Sequence, residues 1–167
     1  MPTEISIRVA RPGDAAAVEK VLRASYPALM TGAYDAAVLA RALPGMTRAN
    51  PGLLAGGTYY LAEAAGQAVG CGGWTLERPG TVEVEPGLAH IRHFGVDPDW
   101  TGRGVGRALY ERCESRARAP GARRFECYAS LNGEAFYAAL GFTGAGPIDV
   151  PMGPDLTFPS IRMFRPI

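Results

Sequence analysis

The sequence contains no apolar run that approaches the roughly 20 residues needed to cross a bilayer. Residues 1–10 lack the charged start and the apolar stretch of a secretory signal. Cysteine is scarce: Cys71, Cys113 and Cys127 are the three in the chain, and they form no C-x-x-C pair. Because all three lie in apolar segments, we expect buried, reduced thiols and a cytoplasmic protein.

Charge of one sign and clusters of metal-binding residues are limited as well. The formal net charge of +1 creates no overall field that would attract nucleic acid or an acidic membrane, so neither is an expected partner. No group of His, Cys, Asp and Glu has the spacing of metal ligands, and no metal is expected. The sequence also has no internal repeat and no low-complexity tract.

Length and composition predict a single folded domain over residues 1–167, with 47% hydrophobic and 20% charged residues. The predicted strands are 5–10, two within 58–77, 87–96, 123–130, 141–150 and 157–164, and the predicted helices are 12–26, 33–43, 104–119 and 133–140. The order β-α-α-β-β-β-α-β-α-β-β indicates an α/β (α+β) fold. It would have one mixed, largely antiparallel central sheet of about seven strands, flanked by about four helices. The segment from the fourth to the fifth strand is the expected parallel crossover.

The junction between the fourth strand and the third helix carries a glycine-rich loop, "TGRGVGR" (101–107). A helix N-terminus leaves its first N–H groups unpaired and positively polarised, and the glycines at 102, 104 and 106 keep them accessible to a bulky anion. Arg103 and Arg107 add positive charge at the rim. The loop lacks the Gly-Lys-Ser/Thr of nucleoside triphosphate sites, and Arg107 stands where a dinucleotide fingerprint has its third glycine. It therefore indicates either another kind of phosphate site or a flexible basic turn.

Two motifs together resemble the GNAT superfamily of acetyl-CoA-dependent N-acetyltransferases. The stretch "VDPDWTGRGVG" (96–106) is similar to the family's pyrophosphate signature, (Gln/Arg)-x-x-Gly-x-(Gly/Ala), together with the residues that precede it. The stretch "FYAALGF" (136–142) is similar to the F-Y-x-x-L-G-F ending of the family. Both occur in the family's order and at about its spacing, and the resemblance is close over residues 57–145. Two positions depart from the pattern: Thr101 stands where the signature begins with Gln or Arg, and Ser130 where the family usually has asparagine.

The resemblance implies a GNAT-like sheet whose fourth and fifth strands splay apart, with the pantetheine arm of acetyl-CoA between them. Pantetheine would hydrogen-bond the backbone of Phe94 and Val96, and an N–H near Val96 would polarise the thioester carbonyl. The other residues implied in binding acetyl-CoA are Gly102, Arg103, Gly104, Val105, Gly106, Arg107, Ser130 and Asn132. Asn132 either replaces the family's asparagine or only caps the next helix. The arginines of segment 112–124 either assist the 3′-phosphate or form a solvated helix face.

The resemblance also implies that Tyr137 is the proton donor to the departing CoA thiolate, because a phenol of pKa about 10 stays protonated at neutral pH. The alternative is an aromatic residue in the core of a short helix, as expected for its neighbour Phe136. Cys127 is not expected to act as a nucleophile, because its strand reads as buried and no histidine is near it in sequence.

His90 is the predicted base that takes the proton of the acceptor, because several family members place a Glu or His six residues before the position of Val96. His93 remains an alternative, as do Glu83 and Glu85 acting through water. Strand alternation puts His90 and Arg92 on one face and His93 on the other, unless a bulge near Phe94 reverses this arrangement.

These features predict an enzyme, an N-acetyltransferase that moves acetyl from acetyl-CoA to a small-molecule or peptide amine by direct attack, without an acyl-enzyme. The alternative is a non-catalytic CoA- or acyl-CoA-binding regulatory module of the same fold, which the departures at Thr101 and Ser130 favour. No motif marks the pocket that would bind the acceptor. We expect the walls of this pocket to come from the first two helices, segment 27–56 and the connection of the last two strands. Tyr34, Asp35, Asp149 and Asp155 either contact a cationic amine there or only decorate loops. Acyl donors other than acetyl-CoA stay open, and a homodimer is compatible with the family.

Overall fold

The computed structural model describes residues 3–167, which form a seven-stranded sheet covered by helices on both faces. The strands are β1 (Ser6–Val9), β2 (Tyr59–Ala64), β3 (Gln67–Thr75), β4 (Leu88–Val96), β5 (Arg124–Ser130), β6 (Thr143–Pro151) and β7 (Thr157–Pro166). The helices are α1 (Ala15–Met30), α2 (Ala36–Met46), α3 (Pro51–Ala55), α4 (Val105–Ala117) and α5 (Glu134–Ala139), with 3₁₀ turns at Pro12–Asp14, Pro98–Trp100 and Leu131–Gly133. None of the helices in this described part of the chain is both long and apolar enough to cross a membrane.

The strands follow the order β1-β2-β3-β4-β5-β7-β6 across the sheet. Every neighbouring pair is antiparallel except β4 and β5, which run parallel and are joined through α4. The predicted mixed, largely antiparallel sheet and its parallel crossover are therefore confirmed.

Two apolar clusters, one on each face, hold the helices to the sheet. On one face α4 and α5 bury Val105, Leu109 and Tyr137 against strand residues such as Phe125. On the other face α1, α2 and α3 cover the sheet with residues such as Leu22. All three cysteines are free and buried in these clusters, as the sequence predicted.

The ladder between β4 and β5 is short. The two strands pair only at Leu88–Arg124, Ala89–Phe125 and His90–Glu126 in the described chain. Beyond His90 each strand continues to its end without the other, so the sheet opens into a gap, as the family resemblance implied. A gap of this kind leaves backbone N–H and C=O groups that need partners.

A bulge in β4 lies beside this gap. The register between β3 and β4 shifts opposite Cys71 and Gly73, and His93 has a φ of 53°. Ala89 and Ile91 lie in the cluster under α4, whereas the His93 ring lies 5.9 Å from that of Tyr26 on α1. The bulge therefore places His93 on the same face as His90 and Arg92, which is the reversal that the sequence left open.

Two helices extend through prolines where the sequence predicted their ends. The helix predicted to end at residue 26 continues through Pro27, and the helix predicted to stop before Pro44 continues through it. At the end of α2, the backbone N–H and the hydroxyl of Thr47 both donate to the Leu43 carbonyl, at 3.0 and 2.8 Å. Pro44 cannot donate the helical hydrogen bond to the Ala40 carbonyl, and the two Thr47 contacts close the last turn of the helix beyond it.

The short helix α3 was not predicted, although its start is marked in the sequence. Asn50 is the N-cap, and its Oδ1 accepts from the N–H groups of Gly52 at 2.9 Å and Leu53 at 3.3 Å. Pro51 occupies the first helical position, where its missing N–H costs nothing. This asparagine–proline pair was a readable helix start.

One side-chain prediction was also wrong, since Ala16 of the expected apolar face of α1 is exposed.

Candidate active site

The glycine-rich loop between β4 and α4 is open toward solvent. Gly102 and Gly104 have φ values of 74° and 84°, and an added Cβ at either would meet nothing within 4 Å. Gly104 caps α4, and the first helical hydrogen bond runs from the Ala108 N–H to the Gly104 carbonyl at 3.0 Å. The N–H groups of the intervening first turn therefore lack helical partners. The geometry is that of an anion cradle made of backbone.

The third glycine of the loop has another role. A Cβ at Gly106 would lie 2.7 Å from the ring of Phe136 in α5. Glycine at this position therefore lets the Phe136 ring pack against the start of α4. Arg103 and Arg107 are both exposed, and the Arg103 guanidinium lies 4.8 Å from the centre of the Trp100 ring. The hydroxyl of Thr101 donates to the Pro98 carbonyl at 3.0 Å, within the turn before the loop.

The end of β4 presents backbone groups to the gap. The Asp97 N–H donates to the Val69 carbonyl of β3 at 2.9 Å. Because successive residues of a regular strand direct their backbone groups to opposite sides, the N–H of Val96 points away from β3 and toward the gap. The Phe94 carbonyl accepts from the hydroxyl of Tyr26 at 2.7 Å. A ligand in the gap therefore meets a backbone donor at Val96, whereas Phe94 lies in the bulge.

A cavity of about 1010 Å³ opens beside this gap. It is lined by residues of α1, α2 and α3, by β4, β5 and Tyr137 of α5, and by the ends of β6 and β7. Segment 27–56 and the β6–β7 connection contribute as expected, through residues such as Met46 and Met152. The loop 78–81 also lines it, which the sequence analysis did not foresee.

Tyr137 lies at the cavity and is 8% exposed. Its ring packs edge-on against Phe136, Phe142 and Phe94, with centroid distances of 5.0, 5.5 and 6.2 Å. Burial raises the pKa of Tyr137 well above its ordinary value, so the hydroxyl is protonated at neutral pH. Burial also raises the pKa of the neighbouring Cys127 thiol. Tyr137 thus belongs to the core and faces the cavity at once, and the adjacent thiol is not a thiolate.

His90 is buried away from the cavity. It is 3% exposed, and its Nδ1 lies 3.2 Å from the Oε1 of Glu126. The other carboxylate oxygen of Glu126 accepts from the Nε of Arg162 at 2.7 Å. Burial lowers the pKa of His90, and the Glu126 carboxylate opposes that effect. This placement favours a structural role for His90 in a buried polar cluster, and it gives no support to the predicted role as the base.

His93, by contrast, lines the cavity. Its Nε2 lies 2.6 Å from the carbonyl oxygen of Met46. Since a carbonyl can only accept, Nε2 carries the hydrogen and Nδ1 of the neutral ring carries the lone pair. Burial lowers the pKa of His93, which keeps the ring neutral at pH 7. The arrangement leaves a proton-accepting nitrogen at the cavity.

Ser130 and Asn132, the two residues considered at the missing family asparagine, occupy different positions. Ser130 lines the cavity, whereas Asn132 is exposed in the 3₁₀ turn before α5. The N-cap of α5 is Gly133, and no side chain caps the helix. The alternative that Asn132 caps this helix is therefore wrong.

The acidic residues considered earlier lie elsewhere. Glu83 and Glu85 are largely exposed and lie 3.2 and 3.8 Å from Arg78 and Arg124, respectively. Asp35, Asp149 and Asp155 are exposed and do not line the cavity. The hydroxyl of Tyr34 donates to the Pro159 carbonyl at 2.7 Å and accepts from the Leu131 N–H at 2.8 Å, which ties loops together. Within residues 3–167 no group of three or more His, Cys, Asp or Glu could hold a metal ion.

The positive charge of the cavity was not predicted from the sequence. Arg48, Arg78 and Arg92 line it, and so does Asn50. The readable signal was Arg92, a charged residue within a strand whose neighbours are mostly apolar. Arg48 and Arg78 lie in loops that reach the cavity only through the fold.

Comparison with known proteins places these features in a family. A sequence model described as "Acetyltransferase (GNAT) family" matches residues 23–142, which include the glycine loop and end at the last residue of "FYAALGF". A protein named IAA acetyltransferase, from Azospirillum brasilense, is 31% identical over 100 residues, which are 58% of this chain and 61% of that protein. The match thus spans about three fifths of the length of this curated relative.

Solved structures share the whole fold. A GCN5-related N-acetyltransferase from Rhodopseudomonas palustris superposes with a TM-score of 0.75 at 23% identity, covering 100% of this chain and 99% of that one. PaiA N-acetyltransferase from Thermoplasma acidophilum, in complex with coenzyme A, gives 0.69 at 14% identity, covering 98% and 99%. The structures show a common fold, and the family model covers well over half of the sequence. This chain therefore belongs to the acetyltransferase (GNAT) family.

Proposed function

We propose that this protein transfers the acetyl group of acetyl-CoA to the nitrogen of an amine, by direct attack on the thioester. The observation that carries the proposal is the opening between β4 and β5, with the glycine cradle following one strand and Tyr137 following the other. Family membership supports acetyl transfer, and the coenzyme A complex of the Thermoplasma N-acetyltransferase supports use of acyl-CoA.

The diphosphate of acetyl-CoA would rest on the backbone from Gly102 to Arg107. The free N–H groups at the start of α4 and the positive φ of Gly102 and Gly104 suit a bulky anion, and Arg103 and Arg107 add charge at the rim. Pantetheine would then run into the gap along Phe94 and Val96, toward Ser130 and the cavity. Asn132, exposed in the 3₁₀ turn after β5, would contact the outer part of the coenzyme.

Deprotonation of the acceptor is the step for which a base is required. An amine with a pKa of about 10 is neutral in only about one part in a thousand at pH 7, a deficit of about 4 kcal/mol. A general base contributes about 10²–10⁴-fold, which offsets much of this deficit. We assign this role to His93 in place of His90, because His93 lines the cavity with a neutral ring and an available Nδ1.

The reaction then needs one bond formed and one broken. The amine nitrogen attacks the thioester carbonyl carbon, and the N–H of Val96 stabilises the oxyanion that develops. The C–S bond breaks, and the hydroxyl of Tyr137 gives its proton to the leaving thiolate. The raised pKa of Cys127 leaves no thiolate nearby that would form an acyl-enzyme.

Replacing Tyr137 by Phe tests this assignment. Thiol release from acetyl-CoA across a panel of amines should fall by about 10²–10⁴-fold in kcat, as expected when a general acid is removed. The affinity for acetyl-CoA, measured by calorimetry, should stay nearly unchanged. Tyr110→Phe is the matched control, because Tyr110 is a buried tyrosine of the same aromatic cluster that does not line the cavity.

Two outcomes would contradict the proposal. If acetyl-CoA binds but no amine releases thiol, the protein is the non-catalytic binding module considered above. If the intact protein gains the mass of an acetyl group when mixed with acetyl-CoA alone, and loses it when amine is added, transfer is not direct.

A further inference from the structure

The cavity has a one-sided charge. Arg48, Arg78 and Arg92 line it, and among residues 3–167 no aspartate or glutamate does. A site for a purely cationic amine would need carboxylates to offset the charge of its ligand. Arg78 pairs with the exposed Glu83 at 3.2 Å, so the positive charge of the wall comes mainly from Arg48 and Arg92, and it favours an anion over a cation.

Three other partly buried arginines form ion pairs, whereas Arg92 and Arg112 form none in the described chain, and of these two only Arg92 lines the cavity. Arg8 pairs with Asp14 at 2.8 Å, Arg162 with Glu126 at 2.7 Å and Arg165 with Glu114 at 2.5 Å. Arg92 forms no ion pair with any carboxylate in the described chain. Its Nη1 donates to the neutral hydroxyl of Thr75 at 3.0 Å.

The pKa values of Arg8, Arg165 and Arg92 show the same contrast. The carboxylates beside Arg8 and Arg165 raise their pKa values, whereas burial lowers the pKa of Arg92 and the more distant Glu77 only partly offsets this. A guanidinium dehydrated without a counter-ion is costly in a folded protein. An anionic ligand would supply the missing partner.

The surroundings of Arg92 provide further donors. A second cavity, of about 340 Å³, adjoins the first, and Arg92, Asn50 and Thr81 line both. The Oδ1 of Asn50 is used in capping α3, so its amide N–H groups remain as donors. Apolar side chains such as Met46 and Leu53 complete the wall. The combination suits an anionic group on an apolar skeleton.

We infer that the acceptor is an amine that also carries a carboxylate, and that Arg92 binds this carboxylate. The inference rests on the proposed acetyl transfer and adds the class of its acceptor. The bulge at His93 puts Arg92 and His93, neighbours in sequence, on one face of the sheet. A carboxylate held by the planar fork of Arg92 would therefore place the amine of the same molecule beside the base.

The test compares acceptors that differ in one group. Apolar amino acids would each be assayed beside the corresponding carboxamide and decarboxylated amine, with thiol release from acetyl-CoA as the readout. We expect kcat/KM for the carboxylates to exceed that of the uncharged partners by about 10- to 100-fold, the effect of hydrogen bonds to a charged group. Arg92→Gln should abolish this preference, mainly through KM, and Arg92→Lys should retain part of it. Arg23→Gln, which removes an exposed guanidinium outside the cavity, should change nothing.

Three outcomes separate this inference from the function on which it rests. If the wild-type enzyme acetylates carboxamides or decarboxylated amines as well as the carboxylates, the inference fails and acetyl transfer stands. If Arg92→Gln weakens acetyl-CoA binding in calorimetry as much as it lowers kcat/KM, Arg92 serves the coenzyme and the inference also fails. If no amine of any class releases thiol, the proposed function fails and takes the inference with it. The wild-type comparison remains decisive even if Arg92→Gln does not fold.

Discussion

At the scale of single residues, the two histidines of β4 show how a backbone irregularity selects a functional group. Regular alternation made His90 and His93 point in opposite directions, and the sequence offered His90 as the base. The bulge turns His93 to the face that lines the cavity, while His90 is buried against Glu126. Non-glycine residues with a positive φ have a strained backbone conformation and often occur at functional sites. His93 is a residue of this kind.

The role of His93 predicts a pH dependence. A protonated ring cannot accept a proton, so kcat/KM should fall as the pH decreases through the pKa of His93. Burial lowers that pKa, so this limb should lie below the ordinary histidine value of about 6.5. His93→Gln should lower kcat/KM by about 10²–10⁴-fold and remove the limb, while its side-chain amide can still donate to the Met46 carbonyl.

The measurement is the profile of kcat/KM from about pH 5 to about pH 9 with one acceptor. His90→Gln is the comparison variant, and it should keep the acidic limb even if the loss of its contact with Glu126 lowers stability. Disappearance of the limb in His90→Gln, with the limb intact in His93→Gln, would return the base to the residue that the sequence favoured.

At the scale of elements, the loop before α4 was readable from sequence because its function needs particular residues in particular places. Glycine is required at 102 and 104 by positive φ and at 106 by the ring of Phe136, so the motif and the local structure coincide. The ends of α1 and α2 were not readable in the same way. Prolines 27 and 44 normally stop a helix, and here packing and capping at the helix ends outweigh that preference.

Gly104→Ala should separate the cradle from the rest of the fold. Its φ of 84° costs an L-residue about 1–2 kcal/mol, although a Cβ there would have room. We expect a loss of stability of about 1 kcal/mol and, because the loop relaxes and turns N–H groups away from the diphosphate, an increase in the acetyl-CoA Kd of about tenfold. Calorimetry of binding and denaturant unfolding would measure the two effects.

Gly13→Ala is the matched control for this variant. An added Cβ at Gly13 meets nothing within 4 Å, and the residue has no positive φ. It should leave both acetyl-CoA affinity and stability nearly unchanged. Equal affinities for the two alanine variants would mean that the loop does not hold the coenzyme.

At the scale of the whole molecule, the mixed, largely antiparallel sheet and its parallel crossover were predictable because hydrophobic periodicity and the handedness of connections leave few arrangements. The cavity was predictable only in part. Its apolar walls come from the expected segments, but its charge comes from a loop after β3, a loop after α2 and the middle of β4. No local pattern brings Arg48, Arg78 and Arg92 together, and only the folded chain shows that, within residues 3–167, no aspartate or glutamate lines the cavity with them.

The open sheet predicts how the molecule responds to its coenzyme. β4 and β5 pair over three positions, so much of the contact between the two parts of the sheet is missing along the gap. A ligand that binds only the folded state stabilises it by about 2.7 kcal/mol at a concentration of about 100 times its Kd. For a domain of this size, acetyl-CoA at that concentration should therefore raise the Tm by about 5–10 °C. Thermal unfolding followed by circular dichroism would measure this shift, and Gly104→Ala at the same ligand concentration should show a smaller one.

Because the ligand would bridge the two strands, protection of their amides from hydrogen exchange should rise beyond His90 and Glu126, where the ladder ends. A Tm and an exchange pattern that acetyl-CoA leaves unchanged would show that the gap is not its binding site.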